Sequence, residues 1–300
     1  MFLICGEALF DLFGDEGAQD GARFDARIGG SPFNVAMGLA RLGESAGFFG
    51  GISNDTLGAK LVEKFRKEGV SERYILRTDY LTTLSLVQKD EQGHPAYTFY
   101  GASAADRMVT LDDLPDFDEP PMFLHLGSYT ALVEPVAGTL KALIERERAR
   151  SLVSFDPNIR PTVEPDLELW RQNTEALAPL ADVIKVSDED LALITPREEI
   201  AAIARRWIAG GTALVIVTRG SAGALAFGRS FETQCPGIQV KVEDTVGAGD
   251  TFQAALLAGL KRLGATDRKS HEQLDGARVN RLLDFAVQAA AINCSRRGGD

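Results

Sequence analysis

Short, uninterrupted apolar runs recur along the chain, over Phe2 to Cys5, Met122 to Leu126, Leu152 to Phe155, Val183 to Val186 and Leu214 to Val217. Their length and lack of polar alternation predict parallel strands buried on both faces. Between them, Pro135 to Arg150 and Glu198 to Ala209 carry apolar residues at helical spacing. That alternation predicts an α/β fold, a doubly wound, mostly parallel sheet with helices on both faces. Two stretches break the rhythm. Asp11 to Gly30 is rich in Gly, Asp and Ala, while Thr83 to Lys89 and Ala96 to Tyr100 read as strands joined by the polar loop Asp90-Glu91-Gln92-Gly93-His94. A small antiparallel sheet, built from segments near 9–30 and 81–106, is expected to project from one domain spanning 1–300; an added edge hairpin is the competing expectation.

The chain has 300 residues, 45% hydrophobic and 25% charged, which excludes a disordered or fibrous protein. Lys and Arg number 32 against 43 Asp and Glu, and the resulting net charge of -11 has the wrong sign for a nucleic-acid binder. No apolar stretch approaches the roughly 18 residues of a membrane span. The opening Met1-Phe2-Leu3-Ile4-Cys5-Gly6-Glu7 has no basic start, so a cytoplasmic location is expected. Cys5, Cys235 and Cys294 form no C-x-x-C, and neither H-E-x-x-H nor G-x-S-x-G occurs. Disulfide frameworks, zinc sites and the common hydrolase classes therefore lack their parts.

The richest segment is Asp244-Thr245-Val246-Gly247-Ala248-Gly249-Asp250-Thr251-Phe252. Phe252, Ala255, Leu256, Gly259, Leu260 and Leu263 follow at helical spacing, so the glycines sit at a helix N-terminus, where free N–H groups and the dipole favour an anion such as phosphate. A carboxylate there repels that guest unless it serves chemistry. Asp250 suits a general base for a substrate hydroxyl, and a helix cap is the alternative. The absence of G-x-x-x-x-G-K-[ST] excludes a Walker nucleotide site. Upstream, Gly29-Gly30-Ser31-Pro32-Phe33-Asn34-Val35-Ala36 opens another helix, with Ser31 read as its N-cap and Pro32 as its first residue. The strand Leu152 to Phe155 runs into Asp156-Pro157-Asn158-Ile159-Arg160, which places Asn158 and Arg160 at the ligand crevice of a doubly wound sheet.

Together these two glycine motifs, in this order, resemble the signatures of the ribokinase-like (PfkB) carbohydrate kinases. The resemblance implies sugar contacts from Asp11, Gly29, Gly30 and Asn34, and a segment around Tyr97 to Asp106, including Phe99 and Ser103, that closes over the sugar. Many relatives carry Arg where this chain has Gly101, which favours a neutral sugar over an acidic one unless Arg107 or Arg160 substitutes. Asp250 is implied as the base, with Gly247, Ala248, Gly249 and Arg160 stabilising the phosphoryl group. Lys185, Ser187, Thr218, Gly220, Gly223 and Asn293 are implied on the ATP path. Asp190, with Glu189 as substitute, is implied to hold Mg²⁺ through water, although Ser187 and Asp190 depart from the family's N-x-x-E. A monovalent cation such as K⁺ and a homodimer belong to the same set of expectations. The activity implied is ATP-dependent phosphorylation of a primary hydroxyl of a ketohexose, with fructose the leading acceptor. The alternatives, in order, are 2-keto-3-deoxygluconate, a nucleoside, and an inactive sugar or nucleotide sensor.

Overall fold

The structure, a computed structural model, describes residues 1–15, 23–89 and 95–296. The strands run β1 (Phe2–Cys5), β2 (Leu9–Asp15), β3 (Arg23–Gly29), β4 (Ala46–Ser53), β5 (Ile75–Thr78), β6 (Leu84–Lys89), β7 (Pro95–Tyr100), β8 (Phe123–Gly127), β9 (Leu152–Asp156), β10 (Val183–Ser187), β11 (Leu214–Thr218), β12 (Ala224–Gly228) and β13 (Glu232–Cys235). The helices are α1 (Ser31–Arg41), α2 (Thr56–Lys67), α3 (Val136–Glu147), α4 (Leu167–Leu177), α5 (Asp188–Ile194), α6 (Ile200–Gly210), α7 (Ala248–Arg262), α8 (Arg268–Glu272) and α9 (Gly276–Cys294).

Nine strands form the main sheet in the order β13-β12-β11-β10-β9-β8-β1-β4-β5. From β11 through to β5 every pairing is parallel, and β12 and β13 add an antiparallel edge. Each of the apolar runs read from the sequence is one of these strands. Residue alternation divides them between two cores: Phe2, Ile4, Phe123, Leu152, Val183, Leu214 and Ile216 face α1, α2, α7 and α9, whereas Leu3, Leu124, Val153, Ile184 and Val215 face α3 and α6. Helices therefore cover both faces, which is why these strands carry no polar alternation. The chain leaves β1 for β4 on one side and later returns through β8 on the other, so the strand order reverses at β1. Crevices in such sheets open beyond the carboxyl ends of the strands at that reversal.

The second sheet has the order β3-β2-β6-β7. It differs from the expected antiparallel sheet in its centre, because β2 and β6 pair in parallel while β2–β3 and β6–β7 are antiparallel hairpins. The two hairpins come from distant parts of the chain, so no turn dictates their relative direction. The loop over residues 90–94 expected between β6 and β7 lies outside the described residues.

Candidate active site

Helix α7 begins at the glycine motif. Gly247 is its N-cap, with φ of 75°, a left-handed conformation that glycine adopts without strain. Asp250 lies in the first turn and does not cap the helix. Its carboxylate instead accepts Ser31 Oγ at 2.6 Å and Asn34 Nδ2 at 2.8 Å, both from the first turn of α1. Ser31 is thus the first helical residue and not the expected N-cap: Gly30 holds that position with φ of 107°, and a Cβ there would meet the Glu7 carbonyl at 2.8 Å. The two motifs, far apart in sequence, meet through these hydrogen bonds.

A cavity of about 1670 Å³ runs past Asp250. One end is walled by Glu7, Asp11, Gly30, Asn34, Phe99 and Tyr129, with the β2–β3 residues Phe13 and Phe24 beyond them. The other is walled by Thr218, Gly220 and Gly223 at the end of β11, by Ile238 and Val242 from the loop after β13, and by Val287, Ala290 and Ala291 on α9. Arg160, Lys185, Ser187, Asp190, Gly247, Ala248 and Gly249 line the middle.

Electrostatics are concentrated in that middle. Lys185 Nζ bonds Asp156 Oδ2 at 2.7 Å, with both side chains buried. Burial works against the Lys185 charge, but Asp156 outweighs it and holds the ammonium above its ordinary pKa. A Cβ on Gly249 would lie 3.1 Å from Lys185 Nζ, so this cation sits directly beneath the α7 N-terminus. Beside it runs a buried polar chain in which Gln253 Nε2 donates to Ser154 Oγ at 2.8 Å and His125 Nδ1 lies 3.2 Å from the same hydroxyl. Burial and Lys185 push His125 down to about 3, so it is neutral. Burial, followed by the Asp156 charge, raises Asp190, whose Oδ1 accepts the Ile159 N–H at 3.1 Å. Burial likewise raises Asp11, with Arg160 opposing the shift and Asp250 adding to it. Glu7, accepting Thr130 Oγ1 at 2.9 Å, is pushed up to about 7 by burial.

Several residues singled out in the sequence stand off the cavity wall. Ser103 is exposed on the turn after β7. Gly29 leaves room for Asp11, whose Oδ2 would lie 2.2 Å from a Cβ there. Asn293 donates to the Val246 carbonyl at 2.9 Å and accepts Thr251 Oγ1 at 3.2 Å, tying α9 to the start of α7. Ser187 lines the cavity, but its hydroxyl caps α5 through the Asp190 N–H. Gly101 also has a packing reason, since a Cβ would meet Thr83 Oγ1 at 2.7 Å. Arg107 lies over the Tyr129 ring, 4.9 Å from its centroid, and is not on the wall, whereas Arg160 is. Sequence reasoning passed over Glu7, Tyr129 and the Ile238–Val242 loop. For Glu7 the available signal was an acid two residues past a buried strand, whereas Tyr129 and the Ile238–Val242 loop reach the cavity only through the fold.

Among the described residues no helix is long and apolar enough to cross a membrane. The model of the pfkB family carbohydrate kinases matches residues 2–300. A fructokinase of Rhizobium leguminosarum bv. trifolii is 36% identical over 275 residues, covering 92% of this chain and 84% of its own. The crystal structure of a fructokinase from Xylella fastidiosa with bound ATP superposes with a TM-score of 0.89 at 27% identity, over 99% of this chain and 93% of that one. The fructokinase of Vibrio cholerae O395 in its fructose-, ADP- and calcium-bound form gives 0.85 at 29% identity, over 99% and 94%. Since the match takes in both glycine motifs, the sheet that carries them and the cavity where they meet, the chain belongs to the pfkB family of carbohydrate kinases, phosphotransferases acting on a sugar hydroxyl.

Proposed function

We propose that this chain is an ATP-dependent fructokinase, transferring the γ-phosphoryl group to a primary hydroxyl of fructose. The observation that carries the reading is the position of Asp250. It lines the cavity between the two ends, in the first turn of a helix whose N-terminus suits an anion, and two α1 side chains aim its carboxylate. In this reading the sugar occupies the end walled by Asp11, Gly30 and Asn34, with Phe99 covering its apolar face. ATP occupies the other end, its base against Val287, Ala290 and Ala291 and its phosphates near Thr218, Gly220 and Gly223. Asp250 takes the proton of the attacking hydroxyl, and the Gly247 and Gly249 amides with Arg160 stabilise charge on the transferring group, whereas the Ala248 N–H, expected to join them, already donates to the Thr245 carbonyl at 3.2 Å. Lys185, neutralised by Asp156, supports that N-terminus from beneath. Gly29, Ser187 and Asn293 act indirectly, through Asp11, α5 and the Val246 loop, and Ser103 has no part.

Mg²⁺ fits the residues present. Asp156 Oδ1 is a buried acceptor with no protein partner, Asp190 lies close enough to feel its charge, and Glu189 is exposed on the cavity wall. Among the described residues no group of three or more such side chains could hold an ion alone, which suits an ion held largely by phosphate oxygens and water, with Asp190 reached through water. When bound, such an ion neutralises phosphoryl charge. Dependence on K⁺, assembly as a homodimer and a cytoplasmic location remain part of the proposal, as does closure of the β3-β2-β6-β7 sheet as a lid. The experiment is ADP release followed over a panel of fructose, other neutral sugars, 2-keto-3-deoxygluconate and nucleosides. Fructose should give the highest kcat/KM; a preference for the acid or a nucleoside overturns the fructose assignment, and no turnover on any acceptor restores the sensor reading.

A further inference from the structure

The small sheet is joined to the body where residues 81–83 lead into β6 and residues 101–107 lead away from β7. At that junction Asp106 accepts Thr83 Oγ1 on one carboxylate oxygen and the Tyr129 hydroxyl, at 2.6 Å, on the other. The three residues are 0%, 1% and 1% exposed for Thr83, Asp106 and Tyr129. Tyr129 belongs to the 3₁₀ turn Ser128–Ala131 that follows β8, so it is part of the main body. Its ring meets Phe99 edge-on, with centroids 5.8 Å apart at 69°, and Phe99 lies on the cavity wall. Two hydroxyl donors from two different layers thus converge on one carboxylate, and the aromatic side chain over the sugar end rests on one of them.

We propose that Asp106 is a positioning residue for the transfer reaction: by gripping Thr83 and Tyr129 together it clamps the base of the small sheet to the body and sets the Phe99 ring against the sugar. The proposal rests on the sugar end being the one assigned above. An aspartate is suited to the place because both partners donate, and a carboxylate offers an acceptor to each. Alanine removes both acceptors at once, whereas the new nitrogen of an asparagine could be met by a hydroxyl that turns to accept. Ring placement matters because small displacements of positioning groups cost orders of magnitude in rate.

The test is a double-mutant cycle between Asp106 and Phe99, run with the acceptor that the wild type turns over fastest on the sugar panel. Asp106→Ala should raise the KM for that sugar about tenfold or more while the KM for ATP changes less than about twofold. In a Phe99→Leu background the same substitution should change the sugar KM by less than about twofold. Additive effects in the two backgrounds, or equal rises in both KM values, overturn the proposal, because a clamp that only stabilises the fold has no reason to act through Phe99. If Asp106→Ala does not fold, Tyr129→Phe, which deletes one hydroxyl and keeps the ring, carries the same cycle. A wild type that prefers another acceptor overturns the fructose assignment and leaves this cycle in force.

Discussion

Asp250→Asn is the most direct perturbation of the proposed chemistry, and the structure determines what else it changes. The substituted amide keeps an oxygen for Ser31 Oγ, and the Asn34 amide can rotate to present its own oxygen to the new nitrogen, so both hydrogen bonds survive, the one to Ser31 unchanged and the one to Asn34 reversed. The shape of the sugar end is therefore retained while the proton acceptor is lost. General-base catalysis contributes about 10² to 10⁴ in rate, or about 2.7 to 5.4 kcal/mol of barrier. We expect kcat to fall by that factor in an ADP-release assay, with fructose affinity measured by calorimetry changed less than about threefold. Asp250→Ala should behave differently, because it leaves two donors without an acceptor at roughly 1 to 3 kcal/mol each. It should lose affinity as well as turnover. A kcat for Asp250→Asn within about tenfold of wild type would show that the hydroxyl proton leaves by another route and would refute the base assignment.

Three further outcomes follow from the same geometry. Ser31→Ala removes the 2.6 Å hydrogen bond that aims Asp250, and bonds to charged groups are worth about 1.5 to 3 kcal/mol, so kcat should drop about tenfold or more with the KM for ATP unchanged; an unaffected kcat would return Ser31 to a purely helical role. Lys185→Met leaves Asp156 buried without its cation and should destabilise the fold by about 3 to 5 kcal/mol in chemical denaturation, whereas pairing it with Asp156→Asn should recover much of that loss; equal instability of single and double variants would exclude the ion pair as the cause. Glu7 titrates at about 7 in the fold against 4.5 for the free side chain, so the folded state holds its proton more tightly and the associated stability, roughly 3 kcal/mol, is present below about pH 4.5 and lost as pH rises through about 7. The Tm of Glu7→Gln should fall less than that of wild type between pH 5 and 8, and parallel curves would count against the burial of a protonated Glu7.

The strands legible in the sequence were those whose reason is local. A parallel strand covered on both faces is a continuous apolar run, and β1, β8, β9, β10 and β11 fit that description. Strand β4 was passed over because its sequence, AGFFGGIS, is broken by glycines. Those glycines answer to distant chain: a Cβ on Gly50 would meet the Gly6 carbonyl at 2.3 Å, and one on Gly51 the Ala105 carbonyl at 1.9 Å. The same limit governs the site. The glycine motif at α7 was readable because a helix N-terminus announces itself in spacing. The partnership of Ser31 with Asp250, 219 residues away, was not, because a Ser-Pro pair at the head of a helix has the local pattern of a cap. Gly101 invited an argument from charge, yet the side chain of Thr83 already fills the space a larger residue would need.

Charge links the legible motifs to the parts that only the fold reveals. The cations on the cavity wall are Arg23, Arg160 and Lys185, against the acids Asp11, Asp188, Glu189, Asp190, Asp244 and Asp250 among the described residues, with Glu7 left out because burial favours its neutral form. Lys185 is already committed to Asp156. Fixed positive charge here is therefore too small to receive a nucleotide triphosphate bare, and what the protein offers phosphate directly is largely backbone, at the start of α7. Two features follow from that imbalance. A carboxylate can sit at the point of transfer, as proposed for Asp250, since an excess of local positive charge would hold it as an inert ion pair. The remaining phosphoryl charge must be met by a cation that arrives with the nucleotide, which supports reading Asp190 and Glu189 as its water-mediated holders. An acidic wall around a helix N-terminus thus suits the proposed site, in which ATP would enter with its metal ion and Asp250 would serve the sugar hydroxyl.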